Sequence, residues 1–198
     1  MSLNAGLTPR EVAELSGAPK RVIEKAIEEH VLRVRRTRGR SADGHVRRRL
    51  PTLAVAYAAI LTKLDLRLST AHKKRLFLKL ARIKPSDIRK ARIELAPAVE
   101  INVGRLVGDA MTRAERYRTT RDSWIVVDEK IKGGTPVIRG TRMTVYSLLG
   151  RIEHGDCIDD VLVDNPDLSR KAIEAAIIYA RTHPLMGRPG GRPWADVA

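Results

Sequence analysis

The stretch Thr8-Pro9-Arg10-Glu11-Val12-Ala13-Glu14-Leu15-Ser16-Gly17-Ala18-Pro19-Lys20-Arg21-Val22-Ile23-Glu24-Lys25-Ala26-Ile27 sets the reading of the whole chain. Thr8 is a capping residue, Pro9 suits a first helical position, and Glu11 follows Thr8 by three residues, the spacing of a capping box. A helix is therefore expected from residue 9, with Val12, Ala13 and Leu15 as its short apolar face. Ser16-Gly17-Ala18 reads as a turn whose glycine accepts positive φ, and Pro19 opens a second helix. In that helix Val22, Ile23, Ala26 and Ile27 repeat at helical spacing and leave Lys20, Arg21, Glu24 and Lys25 on the other side. Two short helices joined by a glycine-containing turn are either a plain helical hairpin or a helix-turn-helix that reads DNA.

The next residues favour the second alternative. Val31 to Arg36 and His45 to Leu50 flank a loop with two glycines and predict a β-hairpin. Eight arginines fall between Arg33 and Arg49 with Asp43 the only acid, a density that repels itself unless a polyanion relieves it. A basic hairpin directly after a helix-turn-helix is a wing, whose guanidinium groups straddle phosphates or enter narrow A·T minor grooves. The DNA-binding candidates are thus Lys20, Arg21 and Lys25 on the groove-facing helix. Arg35, Arg36, Arg38, Arg40, Arg47, Arg48 and Arg49 are the phosphate-holding set.

Composition agrees. The chain has 198 residues, 43% hydrophobic and 31% charged, which excludes a disordered polypeptide and gives a folded core. Residues 1–121 hold 28 basic and 12 acidic side chains (+16), whereas residues 122–198 hold 10 and 11 (−1). Two parts with different partners are the simplest explanation. The single cysteine, Cys157, excludes a disulfide framework and a multi-thiolate metal site within one chain. The apolar run Leu53 to Leu61 falls far short of the ~20 residues that span a bilayer. With no signal-peptide pattern at the start, a cytoplasmic protein without a membrane partner is expected.

Further elements follow from periodicity. Thr52 to Leu66 and Ala71 to Ile83 predict helices, the second ended by Pro85. Arg92 to Leu95 and Val99 to Val103 predict a small hairpin around Pro97. A helix is expected from about Gly104 to Arg118, with Arg113, Arg116, Arg118 and Arg121 as a basic exit and a boundary between Thr119 and Trp124. Beyond it, Trp124 to Asp128 predicts a strand, and Thr144 to Glu153, Ile158 to Asp164 and Ser169 to His183 predict helices. The last helix buries Ala172, Ile173, Ala176, Ile177 and Ala180, with Ser169 as its cap.

The run Gly133-Gly134-Thr135-Pro136-Val137-Ile138-Arg139-Gly140-Thr141-Arg142-Met143-Thr144-Val145, then His154-Gly155-Asp156, Asn165-Pro166-Asp167-Leu168 and the closing Ala176-Ile177-Ile178-Tyr179-Ala180 helix, closely resembles the domain of unknown function numbered 433. The resemblance covers roughly 50 residues, from Ile131 to His183. It departs from the usual pattern in Met143, for a branched aliphatic, and in Cys157, for a polar residue. The resemblance implies a homeodomain-like three-helix module and a VapB-type antitoxin that accompanies a PIN-like ribonuclease toxin. It also implies that residues 7–50 are similar to MerR-type DNA-binding heads. Between residues 153 and 167 this module has six acids, Glu153, Asp156, Asp159, Asp160, Asp164 and Asp167, and no base. On charge it docks protein or dimerises and does not read DNA. Its glycine run lacks a following Gly-Lys-Ser/Thr, so it is a structural turn and no phosphate loop.

The expected architecture is mainly α with small β-hairpins (α+β). It comprises a winged head over residues 1–50, a basic middle region over 51–121, the family module over 122–183 and a tail over 184–198. In that tail Arg188 and Arg192, with Trp194 as apolar anchor, are the toxin-binding candidates, because a guanidinium inserted among metal-holding carboxylates competes with the metal. The five histidines are scattered, and His154 with Cys157 supplies too few ligands for zinc, so no enzyme, no cofactor and no metal are expected. The function expected is an antitoxin and autorepressor that binds operator DNA as a homodimer. The alternative is a stand-alone dimeric regulator. An RNA-binding protein fits the charge equally, yet 4% aromatics leave it without stacking platforms in the basic half.

Overall fold

The computed structural model describes residues 6–38, 46–65, 68–96 and 99–185. Helix α1 (Pro9–Ser16) begins on the expected capping box: the Glu11 amide donates to Thr8 Oγ1 at 3.2 Å and the Thr8 amide to Glu11 Oε2 at 2.6 Å. Gly17, in the left-handed region at φ 69°, ends it and turns the chain into α2 (Lys20–Glu28). An antiparallel hairpin follows, β1 (Arg35–Arg38) with β2 (Val46–Arg49), in which Arg35 faces Arg49 and Arg36 faces Arg48. Leu7 and Leu50 exchange backbone hydrogen bonds of 2.9 and 2.7 Å, so the residue just before the cap of α1 closes against the hairpin base.

Helix α3 (Leu53–Leu64) is apolar all round, and seven consecutive residues, Ala54 to Ile60, are buried. It is the axis of the larger core. Around it pack α1, α2, α4 (Thr70–Ala81), the hairpin β3 (Arg92–Ala96) with β4 (Val99–Asn102), and α5 (Val103–Trp124). Ile93 and Ile101 are cross-strand partners on the buried side of that hairpin. Asn102 then caps α5, accepting from the Arg105 amide at 3.0 Å.

Helix α5 runs through the boundary that its arginines suggested from sequence. Its buried stripe, Val103, Val107, Ala110, Met111, Ala114, Tyr117 and Arg121, continues at helical spacing to the end. The basic exit is thus the last turns of a 22-residue helix, and Trp124 belongs to it and not to the following strand.

The second core is smaller. Strands β5 (Ile125–Val126) and β6 (Val137–Ile138) pair antiparallel, and Gly133, Gly134 and Gly140 between and after them all have positive φ, as a structural turn requires. Helices α6 (Val145–Glu153), α7 (Ile158–Asp164) and α8 (Arg170–Thr182) close over Ile138, Leu148, Val161, Leu168 and Ile173. Ser169 caps α8 as expected, accepting from Ala172 at 3.2 Å, and all five of its predicted inward residues are buried. Helix α8 also faces the first core: Ala175 lies in it and Ile178 packs on it. Among the described residues no helix is long and apolar enough to cross a membrane.

Candidate nucleic-acid interface

On α2, Ile23 and Ala26 point into the core, so geometry turns the intervening positions outward. Lys20, Arg21 and Lys25 are all exposed. Lys20 is engaged with Glu24 one turn on at 2.8 Å, a surface pair that is easily exchanged. Lys73 of α4 grips Glu29 just past the end of α2, with Nζ at 2.8 and 3.0 Å from its carboxylate oxygens, and so fixes how α2 leaves the surface.

In the adjoining hairpin, Arg33, Arg35 and Arg48 are exposed. The backbone register sets arginine opposite arginine twice. Arg36, Arg38 and Arg47 lie on the strands, but their side chains fall outside the described set, as do Arg40, Arg188, Arg192 and Trp194 altogether.

Arg49 requires a correction. It is 4% exposed, with Nη1 donating to Glu11 Oε2 at 3.4 Å and to the Gly6 carbonyl at 3.5 Å, and it leaves the phosphate-holding set. Its partner Glu11 is fully buried and belongs to a polar node that sequence reading did not anticipate. Arg121, 3% exposed, donates to Glu11 Oε1 at 2.9 Å, to the Gly6 carbonyl at 3.2 Å and to Asp122 at 2.8 Å. The Tyr117 hydroxyl donates to Glu11 Oε1 at 2.6 Å, and the Arg121 guanidinium lies 5.7 Å from the Tyr117 ring centre.

Burial, the largest single influence, would raise the Glu11 pKa, but Arg121, His183, Tyr117 and Thr8 together outweigh it, and the carboxyl is held below its ordinary value. Burial and the neighbouring carboxylate push the Tyr117 hydroxyl well up. Arg121 is held protonated despite burial, chiefly by Glu11. The node therefore carries two cations against Glu11, with Asp122 beside them, and it joins α1, the hairpin and the end of α5. The capping box was the only sequence signal for Glu11, and it gave no sign of partners 38 and 110 residues away.

In the second core, the acids are partly matched by cations outside their cluster. Arg151 binds Asp156 and Asp164, both at 2.6 Å, and Arg170 pairs with Asp159. Asp160 accepts from the Cys157 amide at the start of α7. Arg139 donates to the Ser123 carbonyl at 2.6 Å. Among the described residues no group of three or more His, Cys, Asp or Glu is placed to hold a metal ion.

Residues 125–180 match the family model described as a protein of unknown function, DUF433. The chain is 43% identical over 58 residues to the uncharacterized protein y4eO of Sinorhizobium fredii (strain NBRC 101917 / NGR234), a match covering 29% of this chain and 26% of that protein. The similarity thus spans about a quarter of the curated relative. No solved structure matches the chain.

Proposed function

We propose that this protein is a dimeric regulator that binds duplex DNA through α1, α2 and the arginine hairpin acting as a winged helix-turn-helix, and that it serves as the antitoxin of a PIN-like ribonuclease. The observation that carries the DNA reading is the juxtaposition of exposed Arg21 and Lys25 on α2 with exposed Arg33, Arg35 and Arg48 at the hairpin that follows it. Such a surface is relieved by a phosphate backbone. One helix reads too few base pairs for specificity, and a two-fold dimer reads a palindrome, which is why a dimer is part of the proposal.

The antitoxin half of the proposal rests on the resemblance of the 125–180 module and on its acidic helices, which are unsuited to phosphate. In this reading the module, a homeodomain-like three-helix unit, docks protein, and Arg188, Arg192 and Trp194 in the tail engage the toxin. Two experiments test the two halves separately. A salt series of duplex-binding titrations should give a steep log-log slope; a flat one rejects the DNA reading. Capture from the native host with the tagged protein, with and without residues 184–198, should recover a small nuclease that is lost on truncation. Duplex binding without any co-purified protein would instead assign a stand-alone regulator.

A further inference from the structure

A groove of about 640 Å³ lies between α5 and α8, where the two cores meet. Small-molecule sites occupy roughly 300–1,000 Å³ and combine apolar walls with a few polar groups that fix orientation. The groove has that form. Ile152, Ile158, Ile177 and Ile178 supply its apolar walls, together with Ala175.

Its rim is cationic: Arg89, Arg113, Arg116, Lys171 and Arg181 face three acids, Asp109, Asp156 and Glu174. Much of this charge is already engaged. Arg89 donates to Thr112, Arg113 to the Leu15 carbonyl at 2.6 Å, and Asp156 is held by Arg151. Arg116 and Lys171, on opposite walls, are both exposed and make no hydrogen bond or ion pair among the described residues. Two cations without a partner among the described residues, set over an apolar bed with cations in excess around the rim, match a ligand with one anionic head and an apolar body.

We propose that the α5–α8 groove binds a small amphipathic anion, a carboxylate or sulfonate on an apolar frame, with Arg116 and Lys171 taking the head and the isoleucines the body. Two groove residues also reach the head of the protein. Arg113 holds the last turn of α1 through Leu15, and Tyr117 donates to Glu11, whose carboxylate binds Arg49 of the hairpin. An occupant that displaces either residue changes the seating of α1. The consequence for DNA affinity rests on the function proposed above, whereas ligand binding itself does not.

The test is a fluorescence titration of the full-length protein with 8-anilino-1-naphthalenesulfonate and with N-phenyl-1-naphthylamine, which keeps the apolar rings without the charge. The sulfonate should bind saturably and more tightly than the neutral dye. Arg116→Ala with Lys171→Ala should weaken the sulfonate about tenfold or more and leave the neutral dye unchanged. Both side chains are exposed and unpaired among the described residues, so folding should be unaffected, as circular dichroism will verify; Lys130→Ala with Lys132→Ala is the control for general charge loss. Equal affinity for the two dyes, or sulfonate binding undiminished in the double variant, overturns the site. Sulfonate binding that leaves duplex affinity unchanged overturns only the coupling to α1. Failure to bind duplex with or without dye overturns the DNA reading and leaves the site standing.

Discussion

Replacing Glu11 by Gln keeps the size of the side chain and removes the charge against which two buried guanidinium groups are set. Glu11 is fully buried, Arg121 is 3% and Arg49 is 4% exposed, so water cannot take over the role of the carboxylate. Removing one partner of a buried ion pair typically destabilises by ~3–5 kcal/mol. The glutamine retains an acceptor for Tyr117, and Asp122 still pairs with Arg121, which places the expected loss near the lower end, about 3 kcal/mol. Against a total stability of ~5–15 kcal/mol this is large. With a urea m-value of ~1–3 kcal/mol/M, the midpoint should fall by about 1–3 M in a denaturation followed by far-ultraviolet circular dichroism at pH 7. The pH dependence gives a second reading. Because the folded-state pKa of Glu11 is depressed below its ordinary value of 4.5, its contribution is fully present above that value and is lost as pH falls through the folded pKa. The stability gap between wild type and Glu11→Gln should therefore close on acidification below about pH 4.5. A loss under 1 kcal/mol at pH 7, or a gap that does not narrow in acid, would refute the node as a source of stability.

Two neighbouring arginines should separate cleanly in experiment. Arg48→Ala should lower the magnitude of the log-log salt slope of duplex binding by about 1 with little change in stability, whereas Arg49→Ala should cost about 1–3 kcal/mol of stability through Glu11; identical behaviour of the two would remove the distinction. Gly104→Ala should destabilise by about 3 kcal/mol or more, since a Cβ there would lie 1.7 Å from the Arg89 carbonyl oxygen and backbone must shift to admit it; a thermal melt within 2 °C of wild type is the contrary result. Ser169→Ala should cost ~1 kcal/mol by removing the cap of α8, read by urea denaturation.

Local signals were legible in the sequence because each is complete within a few residues. The capping box at Thr8 and Glu11, the glycine turn at 17, the paired strands over 92–96 and 99–102 and the cap at Ser169 all stand where their spacing puts them. The positive-φ glycines at 133, 134 and 140 follow the same logic. What sequence could not give is pairing at a distance. Arg49 and Arg121 look like their surface neighbours in a one-dimensional count of charge, and only folding shows that each faces Glu11. The end of α5 was misjudged for the same reason: Arg121 occupies a buried stripe position that hydrophobicity marks as polar. Arg116 and Lys171 line one groove although more than fifty residues separate them, and no periodicity links them.

The charge boundary of this chain and its mechanical boundary therefore differ. Charge changes sign near residue 122, yet α5 continues to Trp124 as an unbroken helix, and α8 from the acidic side contributes Ala175 to the core of the basic side. A flexible linker would let each half engage its partner independently. A continuous helix and a shared core transmit displacement. The bonds that would carry it converge on α1: Arg113 on Leu15, Tyr117 and Arg121 on Glu11, and Arg181 with Glu14 at 3.9 Å. Three of these come from α5 and one from α8, so a ligand or partner that parts those helices alters the setting of α1 before it alters α2 or the hairpin. Any difference between partner-bound and free forms should thus appear first in the protection of the α1 amides, which amide hydrogen exchange resolves.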